Sequence, residues 1–140
     1  MDYLDTSVLT ACYCPERRSA QAQRMVSRSR QPAISPLVEL ELYCVVSRKV
    51  RAGALDAASA RRIFAEFQLH LAEPRFNVVP VRPAEYALAR QWLETLSSPL
   101  RSVDALHLAA AFNNGLVLLT ADRGLAQAAR QFGVKHKLIL

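Results

Sequence analysis

Four acidic residues have neighbours that point to one shared chemical role, and these are Asp5, Glu41, Asp104 and Asp122. Carboxylates that surround one cavity repel each other, and they stay ionised near neutral pH only when a hard cation balances them. Mg²⁺ and Mn²⁺ prefer oxygen ligands of this kind. Such an ion can activate a water molecule and stabilise the charge that builds on a phosphate. The four acids therefore predict a Mg²⁺ or Mn²⁺ site suited to phosphodiester hydrolysis.

The strands that precede Asp5 and Asp122 should bring these two acids together. Asp5 follows a short strand predicted at residues 3–4, and Asp122 follows the apolar run 116–120. In open parallel sheets, ligands bind beyond the carboxyl ends of the strands, where the following helices leave a crevice. Asp104 falls in the first turn of a predicted helix. The helix dipole stabilises a negative charge there, so this acid could be a cap instead of a ligand.

Glu41 lies on a predicted helix at about 37–49 that is apolar enough to be buried on more than one side. An ionised carboxylate is costly to bury there without a partner, and a divalent cation would be such a partner. Glu39 has similar neighbours on nearly the opposite side of the helix, and the helical pattern does not choose between the two. Arg48 or Lys49 could instead form an ion pair with either glutamate.

Strands and helices are predicted in alternation along the chain. Apolar runs predict strands at 3–4, 33–34, 76–81, 116–119 and 137–140, whereas helical spacing predicts helices at 17–30, 37–49, 83–96, 103–113 and 127–132. Asp56 should cap one more helix, and Ser102 should cap the helix at 103–113. This alternation predicts an α/β fold, with a mainly parallel central sheet flanked by helices in an α/β/α sandwich. At 140 residues, we expect one domain, residues 1–140.

The composition favours a polyanionic partner and no membrane. The chain has 18 basic and 12 acidic residues, a net charge of +6, which favours phosphate contacts with a nucleic acid. Five arginines near the first long helix could make such contacts or form a solvated face: Arg17, Arg18, Arg24, Arg28 and Arg30. No apolar stretch reaches the roughly 18 to 20 residues that cross a bilayer, and no export-signal pattern opens the chain. We therefore expect a cytoplasmic protein.

Four segments, at residues 4–9, 35–42, 103–109 and 119–122, resemble the acidic motifs of PIN domains. They occur in the order of that family and span nearly the whole chain. Four matches in order are much more specific than a match to one motif. The resemblance implies the PIN fold and a metal-dependent nuclease in which Asp5, Glu41, Asp104 and Asp122 are the metal ligands and catalytic residues. The family's glutamate usually falls six residues after the serine that opens its motif. With Ser35 as that serine, the resemblance selects Glu41 over Glu39.

The resemblance also gives a role to three hydroxyl side chains, those of Thr6, Ser7 and Thr120. It implies that they hold ligands or metal-bound water. Turn and helix-cap chemistry explains such residues equally well.

The compact size and the run Asp-Ala-Leu-His-Leu-Ala at 104–109 are similar to the VapC toxins of bacterial and archaeal toxin–antitoxin pairs. This resemblance implies an endoribonuclease that cuts structured or messenger RNA, a homodimer, and a cognate antitoxin protein whose tail fills the acidic cleft. Hydrolysis by a metal-oriented water would leave 5′-phosphate and 3′-hydroxyl ends. The alternatives are a PIN nuclease for RNA maturation or decay, and a non-catalytic module that binds nucleic acid or protein. A pure binder gains nothing from a carboxylate cluster that repels a polyanion.

Two further side chains have a structural interpretation. His107 lies three residues after Asp104 on the same side of a predicted helix. Because the other proposed ligands are all oxygens, we predict that His107 packs in the core or hydrogen-bonds a ligand, and does not itself bind the ion. Trp92, with Tyr86 and Leu96, is predicted to belong to the core or to a dimer surface.

Overall fold

The strands and helices of the protein alternate in a computed structural model that describes residues 1–140. The strands are β1 (Asp2–Leu4), β2 (Ala33–Ile34), β3 (Asn77–Val78), β4 (Val117–Thr120) and β5 (His136–Leu138). The helices are α1 (Thr6–Tyr13), α2 (Ser19–Arg28), α3 (Pro36–Arg51), α4 (Ala57–Ala72), α5 (Pro83–Glu94), α6 (Ser102–Asn113) and α7 (Arg123–Gln131). The predicted α/β class is confirmed.

All five strands are parallel and lie in the order β3-β2-β1-β4-β5. The chain extends the sheet from β1 through β2 to β3, and then returns to the other side of β1 for β4 and β5. In the central pair, Leu4 of β1 lies opposite Leu119 of β4. The direction of winding therefore reverses between β1 and β4, which is where a doubly wound sheet binds its ligands.

The core lies between this sheet and two groups of helices. In one group, α1 packs against α2 and α3, and α3 packs against α4; in the other, α5 packs along α6. Every residue of α6 from Ala105 to Ala111 is buried, and its four alanines allow close packing. This arrangement confirms the predicted α/β/α sandwich. Close packing also leaves the residues on α6 little freedom to shift.

One helix, α1, is not predicted from the sequence. Its β-branched residues Thr6, Val8 and Thr10 lower helix propensity, so the local pattern does not favour a helix. The helix forms because Asp5 caps its N-terminus and four of its residues are buried, Val8, Leu9, Thr10 and Ala11. Tertiary packing overrides propensity here.

Several predicted boundaries are wrong. Strand β3 is only two residues long, and Pro80, which has no N–H group, cannot extend the ladder. Helix α7 starts at Arg123 instead of 127, because the side chain of Asp122 caps it. Ser102 is the first residue of α6 and not its cap, a position that Arg101 holds.

Helix α3 is amphipathic, which corrects the expectation that it is buried on more than one side. Its buried residues Val38, Leu42 and Val46 form one stripe at four-residue spacing, while Leu40 on another side is 69% exposed. Ser35 caps the helix and Pro36 occupies its first position, as expected for a helix start. None of the helices is both long and apolar enough to cross a membrane.

Candidate active site

The central strands bring Asp5 and Asp122 to the point where the sheet reverses. Asp5 directly follows β1, and its backbone N–H donates to the carbonyl of Leu119 at 3.2 Å. Asp122 comes two residues after the end of β4. Both acids line one cavity of about 590 Å³. The sequence prediction that these strand ends converge therefore holds for the placement of both residues.

Asp5 is 3% exposed, and hydrogen bonds hold both of its carboxylate oxygens. Oδ1 accepts from the Ser7 hydroxyl at 2.6 Å and the Val8 N–H at 3.0 Å, while Oδ2 accepts from the Thr120 hydroxyl at 2.5 Å. Burial raises the pKa of Asp5 above its usual value, and these hydrogen bonds offset the effect only in part. The carboxylate is thus fixed in place, and burial disfavours its charged form.

Glu41 extends from α3 into the same cavity, with its side chain 31% exposed. Its Oε1 accepts hydrogen bonds from the Thr6 hydroxyl at 2.6 Å and from His107 Nε2 at 2.5 Å. Burial on its own would raise the pKa of Glu41. The bonds from His107 and Thr6 outweigh burial and hold that pKa below its usual value. Glu41 therefore contributes a stable negative charge to the cavity.

The structure places Glu41, and not Glu39, among the residues that line the cavity. Lys49, which the sequence offered as a partner for either glutamate, lies 3.0 Å from Glu16 instead. The structure thus agrees with the PIN resemblance, which selects Glu41 over Glu39. The helical pattern alone could not distinguish the two glutamates, because both have apolar neighbours.

Asp104 occupies the first turn of α6, half-buried in the wall of the cavity. Burial raises its pKa, and the neighbouring charges act in both directions: His107 and Arg101 lower it, while Asp122 and Glu41 raise it. The net pKa of Asp104 is above its usual value. The acids are therefore close enough to destabilise each other's charge, as is expected of a carboxylate cluster.

Asp122 is exposed and caps α7. Its Oδ1 accepts from the backbone N–H groups of Gly124 at 2.7 Å and Leu125 at 3.1 Å. This cap fixes the side chain through one oxygen and leaves Oδ2 for other partners. A role through bound water, beside the more buried Asp5, suits such a residue.

Three hydroxyl groups donate hydrogen bonds to the carboxylates of the cavity. Thr6 donates to Glu41, and Ser7 and Thr120 both donate to Asp5. Ser7 and Thr120 also accept backbone N–H groups from the connection between β4 and α7, at 2.9 and 3.0 Å. Each hydroxyl therefore acts on an acid's position, in line with the role that the PIN resemblance gives it.

Three further charged residues line the cavity, and only Arg18 is named from the sequence, as one of five possible phosphate contacts: Glu16, Arg18 and Arg123. Arg18 Nη1 donates to the backbone carbonyl of Ala121 at 2.8 Å, which holds this guanidinium beside the acids. The sequence marks a cluster of arginines but does not show which of them faces the cavity. That choice depends on a contact between residues 103 positions apart.

The donor set fits a hard divalent cation. Every candidate ligand is a carboxylate or hydroxyl oxygen, the ligand type of Mg²⁺ and Mn²⁺. No three acidic, histidine or cysteine side chains stand ready to hold an ion together as they are. Asp5 accepts three hydrogen bonds and Asp122 accepts two, while Asp104 lies in the first turn of α6.

Comparison with known proteins gives the family. The family model of the PIN domain matches residues 3–131. Ribonuclease VapC3 of Pyrobaculum aerophilum is 30% identical over 124 residues, which are 89% of this chain and 91% of the relative. Among solved structures, the Mycobacterium tuberculosis toxin VapC20, described as cleaving the Sarcin-Ricin loop, aligns with a TM-score of 0.73 at 20% identity, over 91% of this chain and 95% of that one. DNA-bound VapBC from Salmonella typhimurium gives a TM-score of 0.67 at 18% identity, over 100% and 99%. With its motifs, its sheet and its full-length matches in agreement, the chain belongs to the PIN domain family.

Proposed function

We propose that this protein is a divalent-metal-dependent endoribonuclease of the VapC type, the toxin of a toxin–antitoxin pair. The observation that carries the proposal is the single cavity at the reversal point of the sheet, lined by the acids of all four PIN motifs. Membership of the PIN family and similarity to Ribonuclease VapC3 over nearly the full length support ribonuclease activity. The net charge of +6 suits an RNA substrate.

In this proposal Asp5, Glu41 and Asp104 bind Mg²⁺ or Mn²⁺ directly, and Asp122 acts mainly through a bound water. The ion, when bound, activates a water molecule for in-line attack and stabilises the charge that develops on the phosphate. Asp5 and Glu41 are the anchors, because hydrogen bonds already fix their positions. Pre-organised ligands of this kind lose little entropy when they bind a cation.

The acidic cavity also suggests how an antitoxin protein would bind. The cavity is acidic at its base, so an arginine of an antitoxin could occupy it and replace the charge of the cation. The DNA-bound VapBC relative supports an antitoxin partner.

A homodimer is part of the proposal. Two exposed side chains offer apolar surface for it, Tyr86 at 52% and Leu96 at 91% exposure. The proposal also places the protein in the cytoplasm with its RNA substrate.

The first test is cleavage of a mixed RNA pool by the purified protein, with the product ends sequenced. We expect cleavage with Mg²⁺ or Mn²⁺ that leaves 5′-phosphate and 3′-hydroxyl ends, and none with EDTA. Products with 2′,3′-cyclic phosphate would contradict a metal-oriented water, because that product requires attack by the RNA's own hydroxyl group. Cleavage that survives EDTA would contradict the metal site itself.

Arg18 should bind the RNA backbone beside the scissile phosphate. Its guanidinium is tied to Ala121 through one nitrogen, which leaves other N–H donors for a phosphate oxygen. We expect Arg18→Gln to raise KM about 10-fold with little change in kcat, and to reduce the slope of log K against log salt by about one. Steady-state kinetics and binding at several salt concentrations measure both effects.

The matched control is Arg61→Gln, which removes the same charge from an exposed position on α4 away from the cavity. If the two variants lose RNA affinity equally, Arg18 acts only through net charge. A loss of kcat in Arg18→Gln would instead mean that this arginine stabilises the transition state.

A further inference from the structure

A chain of buried hydrogen bonds runs from the start of α3 to Glu41. The Ser35 hydroxyl lies 2.8 Å from the Tyr3 hydroxyl, which lies 2.9 Å from His107 Nδ1. On the other side of the ring, His107 Nε2 lies 2.5 Å from Glu41 Oε1. Ser35 and Tyr3 are fully buried and His107 is 2% exposed. Residues of β1, α3 and α6 are thus connected, and the chain ends at an acid of the cavity.

The donors and acceptors fix a direction along this chain. The Val38 N–H can only donate, and it donates to Ser35 Oγ at 3.4 Å. An ionised Glu41 can only accept, so His107 Nε2 carries the proton at that end. When the ring carries this one proton, Nδ1 accepts from the Tyr3 hydroxyl, which in turn accepts from the Ser35 hydroxyl. Each hydroxyl donates once and accepts once, so every buried polar group in the chain is satisfied.

This chain of hydrogen bonds restricts the orientation of the Glu41 carboxylate. A glutamate on a helix has three rotatable bonds, and its partly exposed side chain would otherwise sample several rotamers. His107 and Thr6 both donate to Oε1, which holds the carboxylate in one orientation. Oε2 then remains for a cation. His107 itself is not a ligand, because both of its ring nitrogens are engaged.

A second tyrosine–histidine pair in the chain makes the same kind of contact away from the acidic cavity. The Tyr13 hydroxyl lies 2.5 Å from His70 Nδ1, with ring centroids 5.6 Å apart, close to the 5.9 Å of Tyr3 and His107. His70 does not line the acidic cavity and contacts no candidate ligand. The two pairs share their packing, and only one continues to a carboxylate of the site.

We propose that His107, held by Tyr3 and Ser35, is a positioning residue that presents Glu41 to the divalent cation. The inference rests on the proposed function, because it takes Glu41 to be a metal ligand. Side chains that hydrogen-bond a metal ligand typically change metal affinity by about 10- to 100-fold when they are removed. His107 contacts the ion only indirectly, through Glu41. Its loss should therefore lower the affinity for the metal ion even when no RNA is present.

The test is Mn²⁺ titration calorimetry on the full chain, with no RNA present. We expect His107→Leu, which keeps bulk but has no donor, to weaken Mn²⁺ binding about 10- to 100-fold. His107→Gln keeps an N–H donor for Glu41 and should restore affinity to within a few-fold of the wild type. Tyr3→Phe, which keeps the ring, should weaken binding by less than His107→Leu. His70→Leu breaks the matched pair and should leave Mn²⁺ affinity unchanged, even where it lowers the melting temperature.

Each outcome bears on the inference. Equal Mn²⁺ affinity in the wild type and folded His107→Leu would overturn the positioning role and leave the proposed function intact. Failure of the wild type itself to bind Mn²⁺ would overturn both. A ¹⁵N NMR spectrum of the imidazole gives a second readout that needs no metal. The proton should lie on Nε2, and a proton only on Nδ1 would contradict the direction of the chain.

Discussion

Asp5→Asn should abolish RNA cleavage and still give a folded protein that is more stable than the wild type in EDTA at neutral pH. Loss of an anchoring ligand removes several kcal/mol of transition-state stabilisation, so cleavage should fall by at least about 10³-fold. Stability should rise because asparagine is neutral and removes the cost of a buried charge. Its amide oxygen can still accept the hydrogen bonds that Oδ1 receives from Ser7 and Val8.

The gain in stability should depend on pH, and the direction follows from the pKa of Asp5. Burial raises that pKa in the folded protein. The protonated form therefore favours folding, and this contribution is complete below the unfolded value of about 3.9 and is lost as pH rises through the folded value. Asparagine does not titrate. The difference in unfolding free energy between Asp5→Asn and the wild type should thus be small in acid and grow toward neutral pH.

Denaturant unfolding in EDTA across this pH range measures the difference, and Asp2→Asn is the matched control. Asp2 lies in the preceding strand β1, carries the same charge and does not line the cavity. Its substitution should leave RNA cleavage at the wild-type level. A folded Asp5→Asn variant that cleaves RNA at the wild-type rate would remove Asp5 from the site.

Much of the site can be predicted from local sequence because the acids are attached to strongly patterned elements. The apolar run before Asp122 predicts a buried strand, and a buried strand fixes the position of the residues just after it. The same reasoning holds for Asp5 after β1. Two parallel strands then place both acids at one edge of the sheet whatever the details of the helices. This is why the convergence could be predicted before the order of strands was known.

The rest of the site depends on long-range contacts that no local pattern contains. His107 could be placed on the same face as Asp104, yet its partners Tyr3 and Glu41 lie 104 and 66 residues away. Tyr3 is an ordinary aromatic core residue in the sequence, and only the structure shows where its hydroxyl points. Helix α1 is similar, since burial and the Asp5 cap stabilise it against weak propensity. Local patterns predict elements, and packing decides which side chains meet.

Mn²⁺ should stabilise the folded protein, and the effect should weaken as the pH falls. At a free Mn²⁺ concentration about 100 times Kd, binding to the folded state adds about 2.7 kcal/mol, or a rise of roughly 10 °C in melting temperature. Because the pKa values of Asp5 and Asp104 are raised, protons compete with the cation at both residues. The shift should therefore be smaller near pH 5 than near pH 8 at the same Mn²⁺ concentration.

Two isosteric variants of α3 make this measurement specific to the site. Glu41→Gln removes a charge that lines the cavity and should lose most of the Mn²⁺ shift, whereas Glu39→Gln removes the same charge two residues away and should keep it. Differential scanning calorimetry with and without Mn²⁺ compares them at each pH. Equal shifts in the two variants would mean that Mn²⁺ binds outside the acidic cavity. A shift that does not weaken as the pH falls would contradict competition between protons and the ion at Asp5 and Asp104.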